Sequence, residues 1–314
     1  MKIAIILAQF GSLPNYFNLW LESAGENPFI DFYVISDMNF QEYHVPANVS
    51  IVKESLDGIQ QRLNIAGGGN LKLNRAYKLS DYKPLFGLAY QDILQNYDFW
   101  GHVDPDIIFG NLSLFLTPEI LNTYDRIYTR GHLSLYRNNT FMNHMFELSN
   151  MCSPKDFFRF KEVKRSNQIF AFDEWGYNFG YGISKVIEDN GIPQYDGIDF
   201  ADISVNSFSF ELAETGEAIE NLKYESGNLS GLANGLKRSF VYVHLQKREM
   251  RVEEGIKNSF YIKPNRFSLS SSTNDNDFSE WHKRGTRRIV RTKISRLNPQ
   301  WILLRIKHAS FGYK

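Results

Sequence analysis

A chain of 314 residues with 43% hydrophobic residues can bury one large core or two smaller ones, which excludes a wholly disordered protein. Its 35 basic and 35 acidic side chains cancel, yet residues 281–314 carry ten Lys or Arg and no Asp or Glu. The rest of the chain is therefore acidic. This distribution argues against nucleic-acid binding and predicts that the basic tail meets an anionic surface.

Cysteine content and hydropathy give an expectation about location. The single cysteine, Cys152, cannot form an internal disulfide, which favours a reducing compartment. The apolar run at 3–8 is too short for a signal peptide, and no apolar stretch is long enough to span a membrane. We expect a cytoplasmic protein that contacts the inner face of the membrane, if at all, through its tail.

Strand-like and helix-like segments alternate over the first 65 residues. Apolar runs at 2–9, 29–37 and 49–52 predict buried strands, and the apolar spacing at 16–21 and 56–65 predicts helices. This order is typical of an α/β fold, in which helices cover a sheet.

Predicted helices and strands continue to about residue 244, and a polar segment follows further along the chain. A helix is predicted to begin near Ser80, with Pro84 in its first turn, and to lead into a strand at 97–103. Further strands are predicted at 126–129 and 240–244. The polar segment that follows predicts a folded domain over 1–262, a linker over 263–280 and a basic amphipathic tail over 281–314.

Asp104-Pro105-Asp106 is the most informative local motif. It lies between the predicted strand and the apolar run Ile107-Ile108-Phe109, where two unpaired anions would be costly. A second Asp-x-Asp, at 275–277, lies in a Ser-rich polar stretch and is read as a solvated loop. Carboxylates at this spacing suit Mn²⁺ or Mg²⁺, with Asp104 and Asp106 as ligands. A hydrogen-bonded turn is the alternative.

These motifs, taken in order, resemble a known group of enzymes. Ser80-Asp81 at a helix start, followed by the run from Trp100 to Asp106, is similar to the metal-dependent GT-A glycosyltransferases. The segments 9–16 and 244–248 also resemble an uncharacterised bacterial family of polysaccharide-assembly enzymes of this type. The resemblance covers about residues 1–255.

The resemblance implies a fold and a reaction. The fold is a GT-A, Rossmann-like single domain whose central mixed sheet is flanked by helices. The reaction moves a sugar from a nucleotide-diphosphate donor, most simply a UDP-sugar, to a carbohydrate or a lipid-linked oligosaccharide in bacterial surface polysaccharide synthesis.

The resemblance also implies residues that bind the donor. Phe10, Gly11 and Asp37 would lie near the base and ribose, Asp81 would contact ribose, and Lys83 would neutralise the diphosphate, beside Asp104. Each has a structural alternative: Asp37 and Asp81 are also suited to capping a turn or a helix.

Two later motifs complete the predicted site. His244 would be a further metal ligand, and Lys247 and Arg248 would bind the diphosphate; a structural histidine is the alternative. Asp173 and Glu174 are the candidates for a general base, which an inverting transfer needs and a retaining one does not. We favour inversion, although the same acidic pair also suits a helix N-terminus.

Other readings remain open from the sequence. Trp175, Tyr177 and Tyr181 are suited to stacking on sugars, which a non-catalytic carbohydrate-binding protein would also explain. A nucleotidyltransferase shares the strand-and-carboxylate logic but normally has more glycine and cations near its first strand. The tail at 281–314 predicts either adsorption to an anionic membrane or folding back onto the acidic body.

Overall fold

The computed structural model describes residues 1–151, 159–175, 182–204 and 208–272, together with positions 279, 283, 290, 294, 302 and 306 of the C-terminal region. In this part of the chain no helix is long and apolar enough to cross a membrane. The six C-terminal positions are helical and exposed, and the rest of the predicted tail lies outside the described residues, as do Tyr177 and Tyr181.

The described residues form seventeen β-strands in two sheets. The strands are β1 (Ile3–Ala8), β2 (Ile30–Ser36), β3 (Val49–Lys53), β4 (Phe99–Val103), β5 (Ile107–Phe109), β6 (Arg126–Ile127), β7 (Leu133–Arg137), β8 (Gln194–Tyr195), β9 (Ala201–Ile203), β10 (Phe210–Leu212), β11 (Ala218–Glu225), β12 (Asn228–Ala233), β13 (Leu236–Ser239), β14 (Tyr242–His244), β15 (Arg251–Val252), β16 (Ser259–Lys263) and β17 (Arg266–Ser268).

Helices occupy much of the remaining described chain. The α-helices are α1 (Phe17–Gly25), α2 (Leu56–Ala66), α3 (Phe86–Ala89), α4 (Gln91–Leu94), α5 (Pro118–Thr123), α6 (Thr140–Asn143), α7 (Phe160–Val163) and α8 (Ile183–Asp189). Three further segments, Ala76–Leu85, Leu112–Leu114 and Met145–Met151, are 3₁₀ helices.

The central sheet has seven strands in the order β3-β2-β1-β4-β7-β6-β8. The four strands β3, β2, β1 and β4 are parallel to one another, whereas β7 is antiparallel to both β4 and β6. This arrangement confirms the predicted α/β fold with a central mixed sheet flanked by helices.

The sheet is buried on both faces, which explains why β1 is a continuous apolar run. Ile6 packs in a cluster with Ile59 of α2, and its neighbour Ile5 packs in a second cluster with Trp20 of α1. Successive side chains of a strand point to opposite faces, so one short segment contributes to both cores.

The second sheet follows the path β15-β17-β16-β11-β10-β9-β14-β5, with β12 and β13 attached to β11. The chain leaves the central sheet at the end of β4 and enters the second sheet at β5. Residues 104–106 join these two strands, so the Asp-Pro-Asp turn lies where the sheets meet.

Two predicted boundaries differ from the structure. The segment read as a polar linker from 263 begins inside the second sheet, because β17 pairs with β16 and Phe267 is fully buried. The helix predicted to begin near Ser80 is a 3₁₀ helix that starts earlier, at Ala76, and α-helical geometry begins only at Phe86. Asp81 therefore lies inside a helical segment and does not cap one.

Candidate active site

A cleft of about 740 Å³ opens at the carboxyl ends of β1 and β4 and is bounded on its other side by the chain that follows β14. Nine of the twelve predicted site residues line it: Phe10, Lys83, Asp104, Asp106, Asp173, Glu174, His244, Lys247 and Arg248. Gly11, Asp37 and Asp81 do not. The structure thus brings together residues from five distant parts of the sequence.

The turn that carries Asp104 and Asp106 is anchored to both sheets. The Asp104 amide donates to the carbonyl of His132 beside β7 at 2.8 Å, and the Trp20 indole donates to the Asp104 carbonyl at 3.2 Å. On the other side, the Leu245 amide donates to the Asp106 carbonyl at 2.8 Å. These hydrogen bonds therefore hold the main chain of the turn from which both carboxylates project.

Asp106 is a fully buried carboxylate with one satisfied and one unsatisfied oxygen. Its Oδ2 accepts the backbone N–H of Lys247 and lies 3.6 Å from His244 Nε2. Its Oδ1 has no hydrogen-bond partner among the described residues. Burial favours the neutral acid, but the contacts with His244 and Lys247 outweigh it and lower the pKa of Asp106. Asp106 is therefore an anion with one buried oxygen that receives no hydrogen bond from the described residues.

His244 reaches Asp106 because β14 pairs with β5, placing His244 opposite Ile107. Its Nδ1 lies 3.0 Å from Asp202 Oδ1, and its ring stacks on His132 with centroids 3.6 Å apart. Burial disfavours the charged imidazole, yet the two carboxylates, Asp106 and Asp202, raise the pKa of His244 to about 10. The two carboxylates thus favour the charged form of His244.

The backbone after β14 is unusual at two consecutive residues. Gln246 and Lys247 have φ values of 50° and 57°, in the left-handed region that non-glycine residues seldom occupy. This turn aims the Lys247 amide at Asp106, while the Lys247 ammonium lies 3.7 Å above the centre of the Tyr77 ring. Lys247 and Tyr77 therefore meet across the cleft.

Lys83 lies between the Asp104–Asp106 turn and the Asp173–Glu174 pair, which together form the acidic cluster of the cleft. Its Nζ donates to Asp104 Oδ1 at 2.7 Å, to Asp173 Oδ2 at 2.9 Å and to the carbonyl of Gly131 at 2.9 Å. Burial favours the neutral amine, but Asp104 and Asp173 dominate and raise the pKa of Lys83 above its usual range. The lysine predicted to bind diphosphate is thus an ion-pair bridge between the predicted metal ligand and the predicted base.

Asp173 and Glu174 have different surroundings. Asp173 is buried; burial raises its pKa, against the opposing effect of Lys83. Glu174 is only partly exposed, and burial together with the charge of Asp173 raises its pKa to about 8. Its side chain packs on Gly131, where an added Cβ would lie 2.5 Å from Glu174 Cγ. Of the predicted pair, Glu174 is the carboxyl group suited to exchanging protons near neutral pH.

Asp81 has a structural position instead of a place in the cleft. It is fully buried, its Oδ2 accepts from Lys78 Nζ at 2.7 Å, and its Oδ1 accepts the amides of Phe170 and Phe172 at 3.0 and 2.9 Å. Asp81 therefore fastens the 3₁₀ helix to the segment that leads into Asp173.

Of the remaining predicted donor-binding residues, Phe10, Gly11 and Asp37 follow strands of the central sheet, whereas Arg248 follows β14 of the second sheet. Phe10 follows β1, is buried in the core and lines the cleft. Gly11, with φ of +90°, and Asp37, just after β2, are exposed and outside the cleft lining. Arg248 lines the cleft, and its Nη2 donates to the carbonyl of Ser204 at 3.5 Å.

Sequence reasoning did not identify three residues around His244 and Asp106. Asp202 is adjacent to His244 because β9 and β14 are paired with these residues in register. Tyr16 lines the cleft, and its buried hydroxyl has no partner in the described part of the chain. His132 also lines the cleft, and its ring stacks on that of His244. No local pattern marks Asp202, since β9 has only three residues.

The described residues contain no group of three His, Cys, Asp or Glu side chains already arranged to hold a metal ion. The chemistry of the donor set nevertheless fits a hard cation, because Asp106 presents a buried carboxylate oxygen without a partner. Lys83 contacts one oxygen of Asp104, and a carboxylate has a second.

Comparisons with known proteins give a family and weak structural likenesses. A family model described as Family of unknown function (DUF6625) matches residues 5–271, whereas no curated protein matches the sequence. A structure of galactosyltransferase LgtC with donor and acceptor sugar analogues is 11% identical, with a TM-score of 0.36 over 65% of this chain and 77% of that chain. The apo form of glycosyltransferase GlyE from Streptococcus pneumoniae TIGR4 is 10% identical, with a TM-score of 0.32 over 52% and 42%. Since these values are low, we base the proposed function on the cleft itself.

Proposed function

This chain belongs to the DUF6625 family, whose function is unknown, and we propose that it is a metal-dependent glycosyltransferase of the GT-A type that uses a nucleotide-sugar donor. One observation carries the proposal. The Asp104–Asp106 turn and the Asp173–Glu174 pair face the same cleft, and Lys83 links them. A transferase of this kind needs one acidic group to support the leaving diphosphate and another to take the proton of the acceptor hydroxyl.

The proposed metal is Mn²⁺ or Mg²⁺, held by Asp104, Asp106 and His244. Carboxylate oxygens are the preferred ligands of these ions, and the nitrogen of a neutral histidine is a common further ligand. Because Asp106 and Asp202 favour the charged form of His244, its Nε2 would release a proton when the ion binds. The buried Oδ1 of Asp106 supports this assignment. When bound, the ion would act as a Lewis acid that neutralises charge on the diphosphate leaving group.

The chain's own residues supply the remaining functions in this proposal. Glu174 would accept the proton from the acceptor hydroxyl, since its pKa of about 8 is near the working range of a general base. Lys83 holds Asp173 and Asp104 in place, and Lys247 and Arg248 line the cleft as cations for the diphosphate. We propose that the transfer inverts configuration, since an inverting transfer needs such a base.

The finer parts of the proposal concern substrates and place of action. We propose a UDP-sugar as donor and a carbohydrate or lipid-linked oligosaccharide as acceptor, in the synthesis of bacterial surface polysaccharide. The enzyme would work in the cytoplasm, with the basic segment 281–314 adsorbed to the anionic inner face of the membrane.

Asp106→Asn tests the proposed function most directly. The amide oxygen still accepts the Lys247 amide, so the fold should persist, while the lost charge should lower Mn²⁺-dependent turnover of a UDP-sugar by about 100-fold or more. Donor identity comes from a thermal-shift screen of nucleotide sugars with and without Mn²⁺. Asp277→Asn, in the other Asp-x-Asp, is the control and should retain activity. Unchanged turnover in Asp106→Asn, or absence of any Mn²⁺-dependent stabilisation by nucleotides, would reject the assignment.

A further inference from the structure

The imidazole of His244 is restrained on three sides. One face stacks on His132, with an angle of 22° between the rings. The Nδ1 edge meets Asp202 at 3.0 Å, and the Nε2 edge faces Asp106 at 3.6 Å. A carboxylate accepts but does not donate, so Nδ1 carries the hydrogen in the contact with Asp202. The ring therefore has one orientation, with Nε2 toward Asp106.

Asp202 is itself held firmly enough to impose that orientation. Three donors converge on its Oδ1: the Ile203 amide at 2.9 Å, His244 Nδ1 at 3.0 Å and Gln246 Nε2 at 3.2 Å. Gln246 also donates to the carbonyl of Ile203 at 3.2 Å. The contact depends on strand register, because β9 and β14 run parallel with His244 opposite Asp202.

We propose that Asp202 is a positioning residue that presents His244 Nε2 to the divalent cation. The inference rests on the proposed function, because it needs His244 to be a metal ligand. A ligating histidine usually donates its second N–H to a carboxylate or carbonyl, and loss of that partner typically weakens metal binding 10–100-fold. Asp202 makes the corresponding contact at Nδ1 and does not line the cleft.

Three variants separate positioning from a general effect on folding. Asp202→Ala removes the acceptor, Asp202→Asn keeps an acceptor oxygen but removes the charge, and Glu220→Ala removes an exposed carboxylate from β11 of the same sheet. The affinity for Mn²⁺ in the presence of UDP is measured by electron paramagnetic resonance of free Mn²⁺. Long-range ¹H–¹⁵N spectra of the metal-free protein report the hydrogen on His244 Nδ1.

The loss of Mn²⁺ affinity should be largest in Asp202→Ala, smaller in Asp202→Asn and absent in Glu220→Ala. Asp202→Ala should weaken Mn²⁺ binding by about 10–100-fold and lose the protected Nδ1–H signal of His244. Asp202→Asn should retain that signal with a smaller loss of affinity, and Glu220→Ala should match the wild type. Wild-type affinity in Asp202→Ala would overturn the inference and leave the proposed function standing. If Asp202→Ala does not fold, an Asp202→Asn variant that loses the Nδ1–H signal would overturn it. Absence of Mn²⁺ binding by the wild type would reject the metal-dependent function and this inference together.

Discussion

Replacing Lys83 by Met tests whether the acidic cluster depends on one buried cation. The lysine ammonium contacts Asp104 at 2.7 Å and Asp173 at 2.9 Å, and methionine fills similar space without charge. The Asp173 side chain is only 3% exposed, whereas that of Asp104 is 20% exposed and can recover some hydration. The loss of unfolding free energy should therefore come mainly from Asp173, whose buried carboxylate would have lost its ion-pair partner.

These contacts indicate how much unfolding free energy Lys83→Met should lose. Removing one partner of a buried ion pair typically costs about 3–5 kcal/mol, because the remaining charge is uncompensated. That is a large part of a usual unfolding free energy of about 5–15 kcal/mol. The double variant Lys83→Met/Asp173→Asn should be less destabilised than the sum of its single variants, with a coupling of about 1–3 kcal/mol.

The pH dependence of the stability lost in Lys83→Met follows from the directions in which the pKa values of Lys83 and Asp173 are shifted. The raised pKa of Lys83 keeps it charged throughout the range about 5–8, so its contribution is lost only at much higher pH. The pKa of Asp173 is raised by burial, so the unfolded chain releases this proton first and stability falls as pH rises. Loss of Lys83 raises that pKa further. The cost of Lys83→Met should therefore be smaller near about pH 5 than near about pH 7.

Chemical denaturation of the wild type, Lys83→Met, Asp173→Asn and the double variant at about pH 5 and about pH 7 measures these unfolding free energies. Lys185→Met is the matched control, because Lys185 makes exposed ion pairs with Glu188 and Asp189 on α8 and should contribute about 0–1 kcal/mol. If Lys83→Met costs no more than Lys185→Met, or if its cost does not change with pH, the reasoning about a buried charge bridge is wrong.

Two further predictions concern the proposed base and the tail. Glu174→Gln should lower turnover by about 10²–10⁴-fold while UDP binding persists. Wild-type turnover should increase as the pH rises toward about 8, because a general base acts in its ionised form. A flat pH–rate profile would contradict this role. Removal of residues 281–314 should abolish co-sedimentation with vesicles of anionic phospholipid and leave turnover of a soluble donor unchanged, with neutral vesicles as the control; undiminished co-sedimentation would refute the membrane proposal.

Much of the central sheet could be predicted from the sequence. The apolar run at 2–9 predicted β1, which is present at nearly the expected bounds. The helical spacing at 16–21 predicted the start of α1, which extends further, to Gly25. The strand before Asp104 was predicted equally well. The second sheet was mostly missed, because strands such as β9 and β10 have three residues each, too few to show a period.

The sequence by itself determined five of the seven strands of the central sheet and the turn that carries Asp104 and Asp106, because periodicity and burial of neighbouring residues are local properties. It did not identify β7 and β8. Only the tertiary structure decided the partners of those carboxylates. Lys247 meets Asp106 across 141 residues of chain, and Asp202 meets His244 across 42. Strand register and the packing between distant segments set such contacts, and the same packing makes Asp81 a structural clamp and Lys83 a bridge.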